Sequence, residues 1–322
     1  MGDAGHYFSG RAANGEGHVS AAEQPHIPEG QTFAGRSLFV RYANLVKLPH
    51  TLFALPFALV GVTIASYVKL VTWQEVLWVA VAFTSARFAA MAFNRIADRR
   101  LDALNPRTAR REIPAGVIGV AEAGAAVVVA CGVFMVAAWR LNPLCFSLAP
   151  LALAWVLFYS FTKRFTRWAH LVLGLGLGIA PVGGYLAVTG AWSQPWWVLP
   201  VLSAAVMCWV AGFDIFYALQ DVSFDREHRL HSVPASLGEA WGIRVARLLH
   251  AGTVVALAAV GVGISGGWLY WLGVAAVALL LLYEHSLVRN GDLTRLDAAF
   301  FRMNGIISIT FFAFVLAERL VR

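Results

Sequence analysis

The chain has 322 residues, 59% of them hydrophobic and only 13% charged, with a formal net charge of +7 and a mean hydropathy of +0.66. Soluble domains carry roughly 25% charged residues, so about half the usual solubilising surface is present and the ordinary soluble classes are excluded in favour of an integral membrane protein. The basic excess suits anionic lipid headgroups, which leaves no need to invoke nucleic acid.

In chain order, residues 1–36 are rich in Gly, Ala and polar residues and lack an apolar core of signal-peptide length. They read as a flexible cytoplasmic tail preceding a single transmembrane domain over 37–322. His6, His18 and His26 lack ligand-like spacing. Nine apolar segments then follow, at 48–68, 73–94, 117–139, 143–162, 169–190, 195–217, 241–263, 267–287 and 300–317. Each is long enough to cross a bilayer as a helix, and none shows the two-residue alternation of barrel strands. His50, at the entrance of the first, suits either substrate contact or helix capping. Cys131, Cys145 and Cys208 sit apart within apolar segments and read as small buried hydrophobes. Gly174 and Gly178 form a small-xxx-small pair, which suits close helix packing or a slot for an apolar chain.

Basic residues fix the orientation. They crowd the approach to the first segment and the second–third, fourth–fifth, sixth–seventh and eighth–ninth connections; only Lys69, Arg140, Arg319 and Arg322 fall on the other side, and Arg87 lies within a span. The crowded side is cytoplasmic by the positive-inside rule, which puts the N-terminus inside and the C-terminus across the cell (inner) membrane. No obligate protein partner is evident.

The second segment closes on FNRIADRRLD, with Asn94, Asp98 and Asp102 at i, i+4, i+8. The sixth closes on GFDIFYALQDVSFD, where Asp214, Tyr217, Asp221 and Asp225 share one stripe if the helix persists to Asp225. Two carboxylate stripes emerging on the same side repel one another unless a cation lies between them. Mg²⁺ suits the gap, because it takes oxygen ligands and combines one or two carboxylates with substrate phosphates. Arg87, seven residues before Asn94, lies on the same stripe but deeper, and arginine pairs bidentately with phosphate. Acids, amide and arginine together describe a diphosphate–Mg²⁺ pocket; the alternative is that the acids merely neutralise nearby arginines.

These residues resemble the UbiA superfamily of intramembrane prenyltransferases. Residues 94–102 resemble its motif N-D-x-x-D-x-x-x-D, with Arg95 in place of the second-position Asp. Arg107, Thr108, Arg111, Pro114 and Gly116 match R-T-x-x-R-x-(I/L)-P-x-G, and YSFTKR at 159–164 matches Y-x-x-x-K-R. Asp214, Tyr217, Asp221 and Asp225 match D-x-x-Y-x-x-x-D-x-x-x-D. The wording is most similar to the 4-hydroxybenzoate polyprenyltransferase branch, including relatives proposed for the futalosine route to menaquinone.

The resemblance implies an all-α polytopic fold of nine transmembrane helices around a central cavity, with a cytoplasmic cap and a lateral opening to lipid. It implies transfer of a polyprenyl group from polyprenyl diphosphate to an aromatic acid in quinone synthesis. Under it, Asn94, Asp98 and Asp102 hold one Mg²⁺ and Asp221 and Asp225 a second, with Asp214 in support. Arg107, Arg111, Lys163 and Arg164, with Arg87, become binders of diphosphate or aromatic carboxylate, unless they only set topology. Tyr159 and Tyr217 become shields for a carbocation, or ordinary interfacial tyrosines. Alternatives are the same chemistry on a dihydroxynaphthoate or another acceptor, and an ion-coupled secondary transporter.

Overall fold

The structure, a computed structural model, describes residue 33, residues 37–288 and residues 296–322, without the side chains of 48–53, 288 and 296–302. Apart from Phe33, the tail expected over 1–36, with His6, His18 and His26, lies outside the described residues, as does the side chain of His50. All described regular structure is helical. A short α1 (Leu38–Leu45) leads into α2 (Leu48–Ala65), α3 (Trp73–Leu104), α4 (Val120–Leu141), α5 (Pro143–Phe158), α6 (Ala169–Thr189) and α7 (Val198–Ala218). Two short cap helices, α8 (Val222–Glu227) and α9 (Val233–Leu237), precede α10 (Glu239–Gly263), α11 (Trp268–Val288) and α12 (Leu296–Val321).

Every apolar segment expected from the sequence contains a helix. Among the described residues eight are long and apolar enough to cross a membrane, and α2 contributes the shorter apolar stretch Ala54–Ala65. The protein is thus a multi-pass membrane protein with eight such helices where the sequence predicted nine spans. Each long helix packs on the next in chain order, and α12 returns to α2, while α2 also lies against α6. Phe57, Trp209, Tyr270 and Phe311 fill the seam where α2, α7, α11 and α12 meet. Large apolar side chains such as Val128, Leu151, Val255 and Leu279 face outward, as expected where the solvent is lipid rather than water.

Local chemistry sets the ends. Thr72 and Glu75 make a reciprocal capping box at the start of α3. Asn142 caps α5 through the Cys145 amide, with Pro143 in the first helical position, where proline loses no bond. Between α6 and α7 a Cβ on Gly178 would lie 2.6 Å from the Ser203 carbonyl oxygen, and one on Gly174 would strike the backbone of Met207. Close packing therefore accounts for that pair. The three cysteines are free and half-buried, less enclosed than the sequence suggested because these helices present flanks to lipid.

Candidate active site

With 32 residues α3 is about 48 Å long, well beyond a hydrocarbon core of about 30 Å. That overshoot carries Asn94, Asp98 and Asp102 out of the apolar layer on an unbroken helix. It stops at Asn105, whose extended backbone (φ −84°, ψ 117°) is what the following Pro106 enforces. The second acidic group is built differently. Helix α7 ends at Ala218, a tighter 3-10 turn takes Leu219–Asp221, and α8 restarts at Val222. The helix expected to persist to Asp225 thus changes pitch over Leu219–Asp221 while the backbone stays helical, and all three acids border the same chamber.

The cations expected to serve substrate occupy the gap between the acids. Arg107 grips Asp221 bidentately, Nε to Oδ1 at 3.1 Å and a terminal nitrogen to Oδ2 at 2.6 Å. The Asn105 amide donates to the same Oδ1 at 3.1 Å. Arg111 holds Asp102 at 2.7 Å, Arg164 holds Asp98 at 3.0 Å, and Lys163 stands 3.9 Å from Asp225. Asn94 donates to Asp98 at 2.9 Å. Asp214 is held by His170 Nδ1 at 2.6 Å. Repulsion between the acids is thus relieved by protein cations.

These side chains line a polar chamber of about 230 Å³ that includes Asn94, Asp98, Asp102, Arg107, Arg111, Tyr159, Lys163, Arg164, Asp214, Asp221 and Asp225. It shares Asn94, Tyr159, Asp214 and Asp221 with an apolar cavity of about 470 Å³. That cavity follows α3 from Asn94 to Val79 and is walled by side chains such as Phe83, Phe134, Leu148, Val156, Leu177 and Phe213. Among the described residues its lining comes from α2 to α7 and their connections, the turn before α2 and Asp221 just after α7, with none from α10, α11 or α12. Arg87 and Tyr217 line this cavity. All thirteen residues singled out in the sequence therefore border one of two joined spaces.

Arg95, where the motif departs, lines the apolar cavity beside Asn94. It is buried, and its Nε points to the Leu45 carbonyl at the end of α1 at 3.4 Å. Behind it, burial pushes the Glu112 carboxyl up from the ordinary glutamate range, against the pull of Arg95, Arg111 and Lys47. Sequence reasoning missed His170 and Asn105, the partners of Asp214 and Asp221. His170 stands alone at the head of an apolar run, and its only signal was that a buried polar group at a helix start needs a partner.

Among the described residues no three His, Cys, Asp or Glu side chains converge as a preformed metal cluster. The donor set still suits Mg²⁺. Asp102 Oδ2 and Asp225 Oδ2 are buried and accept no hydrogen bond, the latter 3.9 Å from the Lys163 amine, so each acidic group keeps one hard oxygen that a cation could take.

The sequence profile of the UbiA prenyltransferase family matches residues 54–306, most of the chain. The protein belongs to the UbiA prenyltransferase family. Within it the chain stands with the 4-hydroxybenzoate branch. It is 31% identical over 234 residues to the 4-hydroxybenzoate octaprenyltransferase of Edwardsiella ictaluri, covering 72% of this chain and 79% of that protein. The Vibrio cholerae enzyme of the same name is 29% identical over 218 residues, covering 68% and 75%. Among solved UbiA structures, an apo homologue from Aeropyrum pernix K1 superposes with TM-score 0.77 at 32% identity, covering 84% of this chain and 98% of that one. A homologue from Archaeoglobus fulgidus, solved with DMAPP and Mg²⁺, shares the fold with TM-score 0.65 at 19% identity, covering 88% and 100%.

Proposed function

We propose that this UbiA-family protein transfers a polyprenyl group from polyprenyl diphosphate to an aromatic acid resembling 4-hydroxybenzoate, in quinone biosynthesis. The observation that carries the reading is the junction of a charged chamber with an apolar cavity, which matches a substrate with a charged head and an oily tail. The chain crosses the cell membrane nine times, α2 included, with its acidic end and N-terminus cytoplasmic. The names of the curated relatives support the acceptor.

Diphosphate entering the chamber competes for the cations. Arg107, Arg111, Arg164 and Lys163 exchange carboxylate partners for phosphate oxygens, which guanidinium groups grip in the same planar, bidentate way. Released from the arginines, Asn94, Asp98 and Asp102 would hold one Mg²⁺, and Asp221 and Asp225 a second, with Asp214 in support. Bound Mg²⁺ supplies positive charge against which the departing diphosphate is stabilised.

The allylic C–O bond breaks with its electron pair going to diphosphate, leaving an allylic cation. Tyr159 and Tyr217 present ring faces to it. A π pair of the phenolic ring forms the new C–C bond, and loss of the ring proton restores aromaticity. The apolar walls keep water from quenching the cation to an alcohol. Arg87, half-buried in the cavity wall with its Nε enclosed and making no hydrogen bond, offers a deeper anchor for an anionic group.

Purified protein in detergent, given Mg²⁺, geranyl diphosphate and 4-hydroxybenzoate, is expected to release diphosphate and form a prenylated ring. A side-by-side panel with a dihydroxynaphthoate fixes the acceptor. Cation uptake into vesicles with no prenylated product from any acceptor overturns the reading in favour of a transporter.

A further inference from the structure

His170 is fully buried in the first turn of α6, between Asp214 of α7 and Val233 of α9. Its two ring nitrogens do different things. Nε2 lies 3.3 Å from the backbone N–H of Val233 and accepts from it. A nitrogen that accepts an amide proton carries none of its own, so the ring proton sits on Nδ1. Nδ1 therefore donates to Asp214 Oδ2 at 2.6 Å. The tautomer is set by the fold.

Both partners are informative. Val233 is the first residue of α9, directly after the Ser232 cap, and its N–H is one of the amides a helix start leaves without an internal acceptor. His170, from the start of α6, supplies that acceptor in a direct buried contact. The Asp214 side chain remains a quarter exposed and borders both the polar chamber and the apolar cavity. One carboxylate oxygen is thus anchored at a fully buried ring while the group still reaches the reacting space. A second tie runs in parallel, from the His231 amide to the Lys163 carbonyl at 2.7 Å, so the start of α9 is fastened to the 159–164 turn as well.

We propose that His170 is the positioning residue of the reaction, holding the Asp214 carboxylate in its chamber-facing orientation and fastening that orientation to the seating of the α8–α9 cap. Asp214 meets the substrates; His170 acts only through it. The arrangement makes the acid and the cap one mechanical unit, with the imidazole as the joint. For its turnover arm the inference rests on the prenyl-transfer reading, and for its structural arm it does not.

The test uses the full chain in detergent with two variants. His170→Phe keeps a buried ring and removes both hydrogen bonds; His170→Asn keeps a donor near the Nδ1 position and removes the Nε2 acceptor. Hydrogen–deuterium exchange at the Val233 amide is expected to quicken about ten-fold or more in both, since both lose its acceptor. In the prenylation assay His170→Phe is expected to lose about ten-fold or more in kcat, with KM for geranyl diphosphate within about three-fold, as befits a lost bond to a charged group. His170→Asn is expected to return kcat to within about three-fold of the unmodified protein.

Unchanged Val233 exchange in both variants overturns the cap link, and equal kcat loss in Phe and Asn variants reduces His170 to packing. Should His170→Phe fail to fold, His170→Asn decides alone: fast exchange with near-normal kcat supports the proposal, and exchange at the unmodified rate overturns it. The exchange experiment needs no substrate, so a protein that prenylates nothing sinks the proposed function while Val233 still decides this one.

Discussion

The two acidic groups look alike as text and are built as opposites. Asn94, Asp98 and Asp102 ride one continuous helix that overshoots the apolar layer, and their spacing alone puts them on one face. Asp214, Asp221 and Asp225 are divided among α7, a 3-10 turn and α8, so each meets a different partner: His170, Arg107 with Asn105, and Lys163. A straight helix translates sequence period into geometry without help. A broken one needs tertiary partners to say where each side chain goes, and so its site is tied more tightly to the cap.

The largest expected effects test whether the groups serve one reaction. Removing divalent metal with a chelator is expected to abolish prenyl transfer, with Mg²⁺ restoring it; undiminished turnover in the chelator would break the assignment of both groups. Asp98→Ala and Asp221→Ala are each expected to lower kcat by about 100-fold or more, the scale of losing a principal electrostatic contact to the transition state. Normal turnover in either removes that acid from the chemistry.

Stability then separates the groups. Asp221→Ala removes the acceptor of two Arg107 hydrogen bonds and one from Asn105 in a half-buried setting, which costs on the order of 1–3 kcal/mol. Asp98 and Arg164 are more open to solvent, at 26% and 37% of their side-chain surface, and Asp98→Ala is expected to leave the melting temperature within a degree or two of the unmodified protein. A melting temperature for Asp221→Ala equal to that of Asp98→Ala would erase the structural contrast. Because of that contrast Asp221→Asn, which preserves shape, is the cleaner probe of chemistry.

Smaller effects concern anion binding. Arg107→Ala is expected to raise KM for geranyl diphosphate by about ten-fold, the range for a hydrogen bond to a charged group. Arg87→Lys, which keeps the charge and loses the planar fork, is expected to weaken diphosphate affinity a few-fold in a direct binding titration. Affinity unchanged by Arg87→Lys takes that side chain out of the diphosphate site.

Much of this was legible beforehand because membrane helices leave few choices. Long apolar runs must be helices, and a period of 3.6 aligns Asn94 with Asp98, Asp102 and the deeper Arg87. Three things were not legible. The tightening at Leu219–Asp221 carries no proline or glycine to announce it. The resting ion pairs depend on where the 105–119 connection folds back, which brings Arg107 to Asp221 across 114 positions of chain. His170 reads as an isolated polar residue until α7 and α9 are packed around it. Local pattern gave the elements, while long-range contact gave the partners.

The apolar cavity has a definite reach. From Asn94 to Val79 along α3 it runs about 22 Å, shorter than the hydrocarbon thickness of about 30 Å. Under the proposed function, a short isoprenoid held by its head at the acids would fit the space whole, whereas a tail of octaprenyl length would outgrow it and finish among the lipids. On that reading discrimination would fall on the diphosphate and the first few carbons, the membrane itself would house the remainder of the molecule, and a single scaffold of this kind would suit tails of many lengths.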